Sequence, residues 1–252
     1  YRILAEVRDE EENLEKAIQS YREALRIRTL ESFPIGYAKT QNNLGNAYAI
    51  LAKVRDEEEN LEKAIQSYRE ALRVYTMESY PIDYAMTQNN LGTAYRILAE
   101  VRDKEENLEK AIQSYREALR IRTLESDPID YATTQNNLGT AYRILAEVRD
   151  EEEDLEKAIQ SYQEALRIRT VESYPIDYAQ TQNNLGTAYA DLALVRDEEE
   201  NLEKAIQSYQ EALRVFTEDH YPIDYSRTMR NLAQARDAMG KDSAASPTQT
   251  EI

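Results

Sequence analysis

Apolar residues return every three or four positions through two stretches of this chain. Between Glu105 and Ser126, Leu108, Ala111, Ile112, Tyr115, Ala118 and Leu119 fall on one face of a 3.6-residue period, with Arg122 continuing the line. Between Tyr84 and Arg102, the residues Tyr84, Gln88, Leu91, Tyr95 and Leu98 do the same. Both segments are predicted to be amphipathic helices, separated by an acidic turn. In that turn Asp103 is placed to cap the second helix and Glu106, three residues on, to complete a capping box that also suits the positive end of the helix dipole. Pro128 is expected to stop the second helix, because the residue before a proline is pushed out of the α region. The same grammar predicts first helices at about 37–55, 131–149, 178–196 and 225–239, and second helices near 10–32, 57–79, 151–173 and 198–217.

The pattern itself repeats every 47 residues. Tyr1, Tyr48, Tyr95, Tyr142 and Tyr189 open matching blocks, and those beginning at Tyr95 and Tyr142 differ at six of 47 positions. A period of this size marks a solenoid of helical hairpins, in which each unit covers the apolar face of the next. The expected architecture is all-α and a single domain over residues 1–240, about five repeats. Residues 1–8 match only the second half of a first helix, so the first helix is expected to be truncated. At the other end Arg230, Gln234 and Arg236 make the last helix polar, as a cap needs, Gly240 is expected to end it, and 241–252 is expected to be a disordered tail. Gly45, Gly92, Gly139 and Gly186 recur inside a helix, where glycine costs about 1 kcal/mol against alanine, which points to close approach of a neighbouring helix.

The segment Asn89 to Tyr95 (NNLGTAY), followed by Ala111, Tyr115, Ala118 and Leu119, resembles the tetratricopeptide repeat. The family's pattern is Leu-Gly-x-x-Tyr in its first helix and Ala-x-x-x-aromatic-x-x-Ala-Leu in its second. The likeness covers nearly the whole chain, but the period is longer than the family's usual value of about 34. The extra residues fall between Tyr95 and Ala111 and around Thr123 to Tyr131. The stretch from Pro175 to Leu185 (PIDYAQTQNNL) looks like the long repeats of kinesin light chains and of signalling proteins that carry such a sensor beside an effector domain. The resemblance implies a right-handed superhelix whose concave groove receives peptides.

Composition narrows the function further. There is no run of 18 apolar residues to span a membrane and no cysteine for disulfides, thiol catalysis or thiolate metal sites. No export leader opens the chain, which suggests a cytoplasmic location, although the N-terminus looks cut. A formal net charge of −17 opposes binding to nucleic acid or to anionic lipid, both of which need Lys and Arg at the surface.

Comparing the repeats with one another separates framework from variable surface. One slot holds Lys39, Met86, Thr133, Gln180 and Arg227, five residues in five repeats. A slot that accepts Lys, Met, Thr and Gln is not packed core, because an unpaired buried charge is costly. Helical spacing extends it into a stripe through Asn42 and Asn46, through Asn89, Thr93 and Arg96, through Asn136, Thr140 and Arg143, and through Asn183 and Thr187. By the family resemblance this stripe lines the groove. Asn42, Asn89, Asn136 and Asn183 recur within it, with Asn43, Asn90, Asn137 and Asn184 beside them. Such a ladder of carboxamides, each offering a donor and an acceptor, suits an extended peptide backbone. The alternative is that one Asn of each pair bonds the neighbouring unit. Arg96 and Arg143, with Lys39 and Arg227 at the ends, are expected to make the groove locally basic.

Other features point away from chemistry. Asp56 to Glu59, Asp150 to Glu153 and Asp197 to Glu200 lack metal-ligand spacing and are taken as capping and solvation. Tyr68, Tyr115, Tyr162 and Tyr209 are assigned to the core, while Arg28, Tyr75, Arg122, Arg169 and Phe216 are assigned to a second, rim-like variable surface. His220 stands alone in a loop. No catalytic residues, cofactor or metal site are expected. The function these features support is a non-enzymatic module that binds an extended peptide or partner protein. Alternatives are a structural array that self-associates through its repeat ends and the sensor part of a larger signalling protein.

Overall fold

Prolines in this chain start helices. A computed structural model describes the backbone of residues 2–149 and 151–245 and the side chains of 11–149 and 151–240. Among these residues lie ten α-helices: α1 (Arg2–Leu25), α2 (Pro34–Leu51), α3 (Glu57–Ala71), α4 (Pro81–Val101), α5 (Lys104–Leu119), α6 (Pro128–Arg149), α7 (Glu152–Leu166), α8 (Pro175–Ala193), α9 (Glu198–Leu213) and α10 (Pro222–Ala245). Pro34, Pro81 and Pro175 take the first helical position, where the missing N–H has no intrahelical partner anyway and φ is already set. The expected second helices are therefore too long at their C-termini. They stop at Ala71, Leu119, Leu166 and Leu213, and a turn closed by bonds such as Tyr80 N–H to Thr76 C=O, 3.0 Å, leads into the next helix.

The chain divides into two compact units, Tyr1–Asp127 and Pro128–Ile252. In the first, α1 to α5 pack in sequence, each on the next; in the second, α6 to α10 do the same. Each unit is thus a stack of antiparallel helix pairs. The core of each hairpin is a tyrosine set against a glycine. Tyr68, Tyr115, Tyr162 and Tyr209 are fully or almost fully buried, as expected. A Cβ at Gly92 would stand 2.8 Å from the Tyr115 ring and 3.1 Å from the Ala111 carbonyl, so the close approach inferred from the repeated glycines is present. In α10, the last helix among the described residues, the slot holds the exposed Ala233.

The acidic turns work differently from a capping box. Asp56, Asp103 and Asp197 adopt left-handed backbone, φ 44 to 46°, and make no side-chain cap bond. The side chains of Asn60, Asn107 and Asn201 instead donate to the carbonyls of Arg55, Arg102 and Arg196, each at 2.9 Å, tying the turn to the helix that follows. Glu106, expected to reach back to the cap, bonds Lys110 at 2.5 Å. The exposed carboxylates hold neighbouring hairpins together. Arg102 bridges Glu58, at 2.8 Å, and Glu62, while Arg196 bridges Glu152 and Glu156.

Both ends differ from expectation. The residues expected to form a truncated first helix run without a break into the second, giving the single helix α1. The segment from Arg2 to Lys16 consists largely of good helix formers. At the other end Gly240 does not stop α10, which continues to Ala245, so the expected tail begins no earlier than 246. Residues 246–252 lie outside the described ones. Arg230, Gln234 and Arg236 are exposed.

Candidate functional site

The variable slot lies at the surface in both units. Lys39 and Met86 in the first unit, and Thr133, Gln180 and Arg227 in the second, are exposed or half-buried, one turn into the helices that carry them. Further along the same faces Asn46, Thr93, Thr140 and Thr187 are half-buried, and each accepts the hydroxyl of a buried core tyrosine. Tyr68 donates to Asn46 at 2.7 Å, Tyr115 to Thr93 and Tyr162 to Thr140 at 3.1 Å, and Tyr209 to Thr187 at 3.3 Å. The stripe is therefore braced from beneath. Burial pushes the Tyr162 phenol up to about 12, so it stays a neutral donor.

The two asparagines of each pair have separate duties. Asn42, Asn136 and Asn183 are buried, and Asn89 is half-buried. The Asn42 carboxamide oxygen accepts the hydroxyl of Thr87 at 3.1 Å, that of Asn136 accepts Thr181 at 3.2 Å, and that of Asn183 accepts Thr228 at 3.1 Å. Each donor belongs to the next repeat. The same oxygens of Asn136 and Asn183 also accept Nδ2 of Asn184 at 3.3 Å and of Asn231 at 3.5 Å, while Asn90 donates to Asn46 at 3.2 Å. Asn42, Asn136 and Asn183 are thus junctions between repeats, and their oxygens are already occupied. Asn43, Asn90, Asn137 and Asn184 are half-buried on the accessible side. The sequence reading passed over the threonines Thr40, Thr87, Thr134, Thr181 and Thr228, all buried. Their signal was present: one threonine stands two residues before the asparagine pair in four repeats and, at Thr228, two before Arg230-Asn231 in the fifth.

The arginines of the stripe do not make it basic. Arg96 pairs with Glu100 at 3.1 Å, and Arg143 with Glu147 at 2.5 Å and Asp191 at 3.2 Å. Asp191 is half-buried, and its carboxyl is held above the usual range by that burial, with Arg143 opposing the shift. Lys39 and Arg28 line a cavity of about 620 Å³ with Phe33 and Ile35 in the first unit.

The second variable surface is a correction. Of its members only Arg28 is exposed; Tyr75, Arg122, Arg169 and Phe216 are buried. Tyr75 and Phe216 pack edge-on against Tyr80 and Tyr221, ring centroids 5.8 Å apart. Arg169 instead sends its guanidinium to Thr181 at 3.0 Å and to Thr133, a stripe residue, at 3.2 Å. An aromatic ring and an arginine stem fill the same space, which is why the slot varies without being surface. His220 is exposed, with Nδ1 3.1 Å from the Thr217 hydroxyl. No helix among the described residues is long and apolar enough to cross a membrane.

Two models of the tetratricopeptide repeat match the sequence, one over residues 38–72, 85–121, 132–167 and 179–220, the other over 3–29. The chain belongs to the tetratricopeptide repeat family. Among solved structures it is similar to the crystal structure of BtubC (BKLC) from P. vanneervenii, a kinesin-light-chain-like protein, with TM-score 0.54 and 23% identity over 90% of this chain and 84% of that one. It is also similar to the crystal structure of MamA protein, at TM-score 0.43 and 17% identity over 82% of this chain and 98% of the other. Curated protein sequences gave no match. Tetratricopeptide domains generally serve as protein–protein interaction modules.

Proposed function

We propose that in each unit the stripe on the first helices binds an extended segment of a partner protein, without catalysis. The observation that carries this reading is the slot of Lys39, Met86, Thr133, Gln180 and Arg227, which changes in every repeat on an accessible face while the residues beneath it stay fixed. These five residues, with Arg96 and Arg143 in their ion pairs, select side chains. Backbone is held by the second asparagines, because Asn90 and Asn184 spend Nδ2 on the preceding repeat and their oxygens accept no hydrogen bond from the described residues. Asn42, Asn89, Asn136 and Asn183 contribute by fixing that register, and Asn46, Thr93, Thr140 and Thr187 form the floor. A preformed surface of this kind limits the entropy lost on association.

The test is a displayed peptide library panned on the whole chain and on a variant carrying Lys39→Ala, Met86→Ala, Gln180→Ala and Arg227→Ala. Peptides kept by the parent and lost by a variant of unchanged helicity support the reading. Equal retention by both would defeat it.

A further inference from the structure

One turn before the variable slot, on the same helical face, every repeat places an isoleucine in solvent. Ile82, Ile129, Ile176 and Ile223 are 76, 52, 50 and 81% exposed, at the second position of α4, α6, α8 and α10. Spacing of four residues aligns each with Met86, Thr133, Gln180 or Arg227, and the Thr133 hydroxyl bonds the Ile129 carbonyl at 3.0 Å. The fold gains little from these side chains. They stand outside the buried core, whereas the tyrosine or aspartate two positions earlier changes between repeats and the Pro-Ile pair does not. In the second unit Ile129, Ile176 and Ile223 occupy equivalent places on helices that touch in succession, α6 on α8 and α8 on α10, which makes a row.

The charge beside the row is mainly acidic. Glu172 and Glu218, four and five residues before an isoleucine, are exposed and make no salt bridge with a described residue, although Glu172 stands near enough to Arg214 to favour its charge. The cations of the same turns are committed elsewhere. Arg167 and Arg214 pair with Glu164 and Glu211, Arg227 pairs with Asp224, and Arg169 is buried. Ile35 falls outside this pattern, since Gly36 follows it and Arg28 and Lys39 share its cavity.

We propose that Ile129, Ile176 and Ile223, with Glu172 and Glu218, form an apolar, acidic rim on the second unit that docks a cationic amphipathic segment of a partner protein. The complementarity argues for that occupant over a second copy of this chain, whose surface carries the same negative excess, and over an anionic membrane. The proposal rests on this face of the first helices being the one that meets a partner.

The probe is a labelled 14-residue peptide of leucine and lysine in helical amphipathic order, followed by fluorescence anisotropy against the whole chain in 150 mM salt. A rim variant (Ile129→Ser, Ile176→Ser, Ile223→Ser) is expected to weaken binding at least tenfold with helicity unchanged. Replacing the peptide's leucines by serine, or its lysines by glutamate, should abolish binding. Binding that survives the rim variant or the serine peptide would show charge attraction alone and overturn the proposal, as would no binding by the parent. Sedimentation showing self-association that the rim variant abolishes would overturn it in favour of a second copy. Each of those results leaves the library test of the stripe standing on its own readout.

Discussion

Asp154 takes the position that Asn60, Asn107 and Asn201 hold in the other turns. An aspartate has no N–H to give, so the bond from that side chain to the preceding arginine carbonyl cannot form. Asp154 is 2% exposed, Lys157 lies 3.2 Å from one carboxylate oxygen, and the other oxygen, Oδ2, has no partner. A buried polar atom left unpaired costs about 1–3 kcal/mol. Asp154→Asn is therefore expected to stabilise the second unit by about 1 kcal/mol in urea unfolding, and an unchanged or lower midpoint would show that the turn does not accept the carboxamide. The threonine at the repeat junction works in the opposite sense. Thr87→Val keeps the shape but removes the donor to Asn42 and is expected to cost about 1–3 kcal/mol, whereas Gln180→Ala on the stripe should change stability by about 0.5 kcal/mol or less.

For the helices, the close pairing of Gly92 with Tyr115 leaves no room for a methyl group. Gly92→Ala should therefore destabilise the chain by about 1–3 kcal/mol despite the better helix propensity of alanine, and a rise in melting temperature would contradict the packing described. Arg169→Tyr installs the residue that Tyr75 supplies in the first unit, opposite Tyr174 as Tyr75 is opposite Tyr80. It should be tolerated within about 1 kcal/mol, while Arg169→Ala strands Thr133 and Thr181 beside a cavity and should cost more than twice that. These two positions show where sequence was informative and where it stopped. The glycine could be interpreted because a helix tolerates it only for a packing reason. The arginine slot could not, because variability looks the same whether a side chain meets solvent or fills a pocket that accepts several shapes. The period, the helix pairing and the accessible slot were legible in the spacing of apolar residues. The burial of Asn42, Asn136 and Asn183 was not, since a carboxamide that joins two repeats and one that faces a ligand recur with the same period. Helix ends were misplaced where proline was taken as a stop, when its fixed φ and absent N–H suit a start equally well.

Across the chain, one tyrosine–carboxylate pair recurs in four repeats, and in three of them it ties stability to pH. Tyr37 donates to Glu70 at 2.6 Å, Tyr84 to Glu117 at 2.8 Å, Tyr131 to Glu164 at 2.9 Å and Tyr178 to Glu211 at 2.7 Å. The phenol bond, then the neighbouring arginine, holds Glu70 and Glu211 below the usual carboxylate range; at Glu164 the arginine leads. A depressed carboxylate adds stability above its unfolded pKa and loses it as pH falls through the folded one, so the melting temperature should drop between about pH 5 and pH 3. Phenylalanine at Tyr37, Tyr131 and Tyr178 should flatten that drop; an unchanged profile would place the acid sensitivity elsewhere. The bonds that join repeats carry a further consequence, for the rate of folding. Thr87 to Asn42, Thr181 to Asn136 and Thr228 to Asn183 each span 45 residues, and Asn184 to Asn136 spans 48. Each closes a loop of one repeat, whose entropic cost grows only as the logarithm of its length and is the same at every step. A chain lengthened by copies of the block from Tyr95 to Ala141 would gain stability without gaining slower, longer-range closures, so its refolding time should stay nearly constant as its size increases.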